Sequence, residues 1–174
     1  MFSSLFLSEF VGIMSHTMTS NTSSIKKSAQ TVLAPIAEDL KAVNDILARE
    51  FAHSQSPTIT EIGSYITQAG GKRMRPALLM LMAKALGYSG NDHRELGATI
   101  EMLHTATLMH DDVVDEGMMR RGRPTANAKW GNSVAVLVGD FMYTRSFEMM
   151  IRIGNLRVMQ ALASAANTLS EGEV

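Results

Sequence analysis

From about Pro35 onwards, apolar residues recur at intervals of three and four rather than in alternation. That is the spacing of helices that bury one stripe. A first helix is predicted from near Pro35, a residue suited to a first turn. Ile36, Leu40, Val43, Ile46 and Leu47 share its face, up to about Phe51. A second runs from about Thr60 to Ala69 through Ile62, Tyr65 and Ile66, and Gly70-Gly71 ends it, because glycine adopts helix-terminating conformations without steric cost. Lys72 to Arg75 form a connection, and Pro76 opens a third helix. Residues 77–86 are apolar nearly all round, which predicts a buried helix. After a loop at Gly87–Asn91, a long helix is predicted over about Asp92–Glu116. A loop over Gly117–Pro124 follows, then helices over about Ser133–Ile153 and 156–170, parted by Gly154-Asn155. The pattern is that of an all-α antiparallel helical bundle with no sheet.

The 174 residues are 45% hydrophobic, enough for one domain with a substantial core. Sixteen basic against 17 acidic residues exclude a global pull towards nucleic acid or an anionic membrane, so any anion binding must be local. The absence of cysteine excludes disulfides and thiolate metal sites and favours a reducing compartment, so a cytoplasmic location is expected. Residues 1–30 change the picture little. Met1–Met14 holds short apolar pieces, but it has no Lys or Arg and Glu9 interrupts it, unlike a signal peptide. No stretch reaches the roughly 18 apolar residues of a membrane span. Residues 15–30 are rich in Ser and Thr and read as a flexible extension ahead of a helical domain over 31–174.

Chemistry enters where an apolar helix suddenly presents Asp111, Asp112 and Asp115. Asp111 and Asp115 lie one above the other on a helix, about 6 Å apart along the axis, with Asp112 about 100° round. Carboxylates this close are costly to hold ionised without a cation among them. Oxygen-only ligands favour Mg²⁺ or Mn²⁺, which keep waters and bind substrate phosphates. Alone, the motif is equally compatible with a solvated acidic helix end. Two basic clusters bracket it, however: Lys72, Arg73 and Arg75 before it, and Arg120, Arg121 and Arg123 after it. Guanidinium forks suit phosphate oxygens, so a diphosphate-and-metal site explains the combination better than three solvated patches. His104 lies seven residues before Asp111, on the same face about 10 Å away. That alignment opens a phosphate contact beside the ordinary role of a core histidine. His110 points elsewhere and reads as structural.

Gly70-Gly-Lys72-Arg-Met-Arg75-Pro, Glu101-x-x-His104-x-Ala-x-Leu-x-His-Asp111-Asp112-x-x-Asp115 and Met119-Arg120-Arg121-Gly-x-Pro-Thr together resemble the trans-isoprenyl diphosphate synthases. Gly131-Asn and Val138-Gly-Asp140-Phe-x-Tyr-x-Arg-x-Phe continue the resemblance, which runs from about residue 36 to the end. It implies an α-helical bundle of the isoprenoid synthase type with a deep cavity, usually dimeric. It implies that Asp111 and Asp115, with Asp112 in the same motif, hold the Mg²⁺ of an allylic diphosphate. Arg120 would contact that diphosphate, and Lys72, Arg75, His104 and Arg121 would form the isopentenyl diphosphate pocket. In such enzymes metal and arginine stabilise the departing diphosphate. The double bond of isopentenyl diphosphate then attacks the allylic cation, and no protein nucleophile is needed.

Product length in the family follows the residues leading into the acidic motif. Ala106 and Thr107, with Leu103 a turn below, are the positions here. The first two are small, which implies an open tunnel and a long all-trans product of about octaprenyl length, for a quinone side chain, although small residues also simply permit tight packing. The family's second Asp-Asp-x-x-Asp motif does not occur in the sequence. The 174-residue chain is therefore expected to be the N-terminal part of such an enzyme, inactive alone and prone to associate through apolar faces such as Val134–Val138. Two alternatives are a non-catalytic partner subunit of a heteromeric synthase and a terpene cyclase. Intact Lys72, Arg75, Asp111, Asp115 and Arg120 disfavour the first, and the Lys72–Pro76 pocket disfavours the second.

Overall fold

The computed structural model describes residues 31–172; the expected extension over residues 1–30 lies outside them. The described residues fall into two units, divided between Ala37 and Glu38. In the first, the described residues include a 3-10 turn at Ala34–Ile36 with Pro35 in its opening positions.

The second unit is helical throughout its core. Its elements are α1 (Ala37–Ala52), α2 (Pro57–Gln68), α3 (Met74–Ala85), α4 (Asp92–Val114), a hairpin of β1 (Met119–Arg120) and β2 (Arg123–Pro124), α5 (Ala126–Trp130), α6 (Asn132–Ile153) and α7 (Leu156–Gly172). The all-α expectation holds, with one correction: the predicted loop over Gly117–Pro124 contains a two-stranded antiparallel hairpin. Arg121 and Gly122 both take positive φ (52° and 75°), as a two-residue hairpin turn requires. Strands this short carry no alternating pattern that a sequence could show.

α4 is the central element and packs most extensively on α6, then on α3. Ala98, Met102, Ala106 and Met109 form its fully buried stripe, facing Ala135, Val138, Met142 and Met149 of α6. Alanine and glycine on this seam let the backbones approach, and flexible methionines fill what remains. Each such methionine contributes roughly 1.5–3 kcal/mol by leaving water. At the other pole, the buried Glu50 of α1 accepts a 2.7 Å hydrogen bond from Arg152 of α6, which also donates to Glu95 of α4 at 2.7 Å. This clamp sits about 24 Å along α4 from Asp111, counting 1.5 Å per residue.

α3 corrects a second expectation. Only Pro76, Ala77 and Met80 are buried, while Met74, Leu78, Met82 and Leu86, one turn apart from each other, are 62, 65, 53 and 78% exposed. A helix apolar on all sides was expected to be enclosed; here one apolar face is covered by α4 and the opposite one is bare.

Candidate functional site

The site is assembled at the C-terminal end of α4. Val114 is the last regular residue, yet the Asp115 N–H still donates to the Asp111 carbonyl at 2.8 Å. Asp115 therefore keeps its place one turn beyond Asp111. Glu116 then turns left-handed, φ 51°. The Gly117 N–H reaches back to the Asp112 carbonyl at 2.9 Å and the Glu116 N–H to that of Val113 at 3.3 Å. These are the paired bonds of a Schellman cap, with glutamate in the position that glycine usually fills.

α5 locks this cap from outside. Asn127, 7% exposed, donates through Nδ2 to the Asp112 and Gly117 carbonyls at 3.1 and 3.0 Å. Thr125 donates to the Gly117 carbonyl at 2.7 Å while its hydroxyl accepts from the Ala128 N–H, capping α5.

The three carboxylates part company. Asp112 is turned inward and receives both Nε and Nη2 of Arg120, at 2.8–3.1 Å. Asp111 is half-buried and Asp115 exposed. Among the described residues no three His, Cys, Asp or Glu side chains form a group able to hold a metal. Asp112 is engaged by an arginine, because a bidentate pair recovers the desolvation cost that a buried lone carboxylate would carry. Those hydrogen bonds, with the fields of Asp112, Asp111 and Asp115, hold the Arg120 guanidinium still more firmly protonated than usual, against the opposing effect of burial.

The first basic cluster divides in a similar way. Gly70 takes φ 68° and Arg73 φ 47° at the start of α3. That turn sends Arg73 inward, where it donates to Asn44 at 2.9 Å and to the buried Glu101 at 2.8 Å. Lys72 and Arg75 stay exposed. They line a cleft of about 360 Å³ together with Arg73, Glu101, His104 and Arg121. Four of the five residues expected to bind substrate (Lys72, Arg75, His104 and Arg121) thus meet around one opening. Arg120, the fifth, borders a separate cavity of about 80 Å³ beside Asp112 and Arg121, walled by Leu47, Phe51 and Met102. Arg121 belongs to both, and it donates to the Gly70 carbonyl. A Cβ on Gly71 would come within 2.6 Å of its Nη1, so a side chain there would make the guanidinium shift.

His104 sits below its ordinary pKa of 6.5, first through burial and then through Arg75, with Arg121 and Arg120 adding and Glu101 opposing. It is a neutral imidazole facing cations. His110, expected to be structural, lies with Nε2 3.2 Å from the Asp140 carboxylate. A Cβ on Gly139 would come within 2.5 Å of its ring. Ala106, one turn before it, is fully buried, and Leu103 and Thr107 are half-buried. None of these three lines either cavity.

Sequence reasoning assigned no role to Glu101, Thr125, Asn127 or Tyr65, and it left Arg73 out of the substrate pocket without giving it the partners Asn44 and Glu101. Only the Gly-Gly turn before Arg73 hinted at unusual backbone. The described non-glycine residues with positive φ, namely Arg73, Glu116 and Arg121, all border this site, where such strain tends to gather.

Known proteins share this chain's sequence and fold. The chain is 50% identical over 138 residues to octaprenyl diphosphate synthase of Escherichia coli (strain K12), covering 79% of this chain and 42% of that protein. The crystal structure of a decaprenyl diphosphate synthase from Rhodobacter capsulatus superposes with a TM-score of 0.79 at 47% identity, over 83% of this chain and 44% of that one. A polyprenyl synthase from Caulobacter crescentus CB15, complexed with calcium and isoprenyl diphosphate, matches with a TM-score of 0.78 at 35% identity, over 82% and 43%. The chain thus spans less than half the length of these relatives. The family model described as Polyprenyl synthetase matches residues 56–174, and the chain belongs to that family.

Proposed function

We propose that this chain supplies the allylic and isopentenyl diphosphate sites of a prenyltransferase. The reaction condenses isopentenyl diphosphate onto an allylic diphosphate such as farnesyl, giving a long all-trans polyprenyl diphosphate. The observation that carries the reading is the convergence of Lys72, Arg75, His104 and Arg121 on one cleft, next to the end of α4 that bears Asp111 and Asp115.

Asp111 and Asp115, a turn apart and not taken up by Arg120, fit a divalent cation that completes its coordination with phosphate oxygens and water. Mg²⁺, or Mn²⁺ in its place, would draw charge from the leaving diphosphate. Arg120 steadies the same diphosphate while Asp112 keeps its guanidinium oriented. Lys72, Arg75 and Arg121 hold the second diphosphate, and His104, neutral among them, adds a hydrogen bond without adding repulsion. Octaprenyl length, and hence a quinone side chain such as that of ubiquinone, is supported by the identity to the Escherichia coli octaprenyl enzyme. A homodimer is part of the proposal.

Product analysis tests it. The chain is joined to the remaining part of the Escherichia coli relative and incubated with Mg²⁺, farnesyl diphosphate and labelled isopentenyl diphosphate. A polyprenyl product of octaprenyl length is expected. Asp111→Ala should lower turnover by at least about a hundredfold, as loss of a main transition-state charge stabiliser does. Absence of any prenyl product would overturn the reading and return the partner-subunit alternative.

A further inference from the structure

The four-residue stretch 120–123 after α4 holds three arginines, and each finds a different partner. Arg120 goes to Asp112, Arg121 to the Gly70 carbonyl, and Arg123 to the face of Tyr65, its guanidinium carbon 5.7 Å from the ring centre. The hairpin that carries them has two residues per strand, too few to hold a shape unaided. Something outside it must choose its position.

Tyr65 on α2 is placed to do so. Its hydroxyl donates to the Pro124 carbonyl on β2 at 2.8 Å. Its ring meets Trp130 edge-on, with centroids 5.0 Å apart, and carries the Lys129 ammonium at 4.5 Å. One side chain thus engages β2 and α5 together. Five residues further along the chain, Gly70 offers the carbonyl that Arg121 holds, so α2 and the turn that ends it grip the hairpin at two points. The ring also gives Arg123 and Lys129 a π face on which to rest. That keeps two of the local cations away from the cleft in which Arg121 stands.

We infer that Tyr65 is a positioning residue for diphosphate binding, acting through Arg121 by fixing the Arg120–Arg123 hairpin against α2. The inference rests on the proposed role of Arg121 as a diphosphate contact, and its test separates the two.

Binding of inorganic pyrophosphate in the presence of Mg²⁺ is measured calorimetrically on the 174-residue chain and on Tyr65→Phe, Tyr65→Leu, Arg121→Ala and the double variant Tyr65→Leu/Arg121→Ala. Tyr65→Phe should bind about fivefold more weakly, the factor set by one ordinary net hydrogen bond. Tyr65→Leu, which also loses the π face, should bind about tenfold or more weakly. The double variant should be no weaker than Arg121→Ala alone, because Tyr65 acts through that arginine. Quenching by acrylamide of Trp130, the one tryptophan in the chain, should increase in Tyr65→Leu as the hairpin loosens.

Wild-type affinity in Tyr65→Leu overturns the inference, as do losses that multiply in the double variant. If Tyr65→Leu loses its helical circular dichroism, Tyr65→Phe decides, and undiminished binding there overturns the inference as well. Undiminished binding in Arg121→Ala instead removes the assignment of Arg121, and the inference falls with its foundation.

Discussion

At the scale of single residues, the site depends on which charges are buried in pairs and which are left facing outward. Arg73 and Glu101 are 13 and 5% exposed and 2.8 Å apart. Removing one partner of such a pair strands a desolvated charge, at a cost of about 3–5 kcal/mol. Arg73→Met should therefore lower stability in chemical denaturation by about that much, and the exposed Lys72→Met by under about 0.5 kcal/mol. Equal effects would mean that the inward turn of Arg73 is not a source of stability. His104 gives a pH-dependent counterpart. Its folded-state pKa lies below its ordinary 6.5, so the folded protein favours the neutral ring. The stability that His104 contributes is present above pH 6.5 and is lost as pH falls from there through the lowered folded value. Imidazole NMR should show His104 titrating below 6.5 in the free chain. Added pyrophosphate should raise that value, since the anion offsets Arg75 and Arg121. A titration at or above 6.5 in the free chain would contradict the cationic surroundings described for it.

At the scale of elements, close approach between helices sets the frame on which those charges sit. Gly63 of α2 lies against Phe51 of α1, and a Cβ built there would fall 2.2 Å from the ring's Cγ. Phe51 is 4% exposed and has little room to retreat. Gly63→Ala gains up to about 1 kcal/mol in helix propensity but loses about 1–3 kcal/mol to overpacking. Net destabilisation in thermal unfolding is expected, relieved when Phe51→Leu is added. Helix positions were legible before the structure because periodicity is a local property: α1, α2, α4, α6 and α7 all lie close to where the apolar spacing puts them. The hairpin and α5 were not legible. Each is too short for a period to register, and each is held by distant partners, such as Tyr65 bonded to Pro124 across 59 residues of sequence.

At the scale of the whole molecule, the unpartnered apolar surface is the main feature that a stripe-counting argument mistakes. Met74, Leu78, Met82 and Leu86 on α3, with Leu137 and Ile151 on α6, stand more than half exposed. Exposed apolar surface of this kind drives association. Sedimentation of the 174-residue chain should show oligomers or aggregates, and Leu78→Glu with Leu86→Glu should shift it towards monomer. A monodisperse wild-type monomer would count against that reading. Taken alone, the sequence determined the helical class, the spacing of Asp111 to Asp115 and the residue types on which the proposed metal and diphosphate site rests, because all of these follow from local geometry and side-chain chemistry. Tertiary structure alone decided that Asp112 faces Arg120, that Arg73 turns inward while Lys72 and Arg75 face the cleft, and that Ala106 belongs to the α4–α6 seam. The direction a charged side chain takes depends on partners tens of residues away. Arg73 meets Glu101 across 28 residues and Arg121 meets Gly70 across 51, and no local pattern encodes a meeting of that kind.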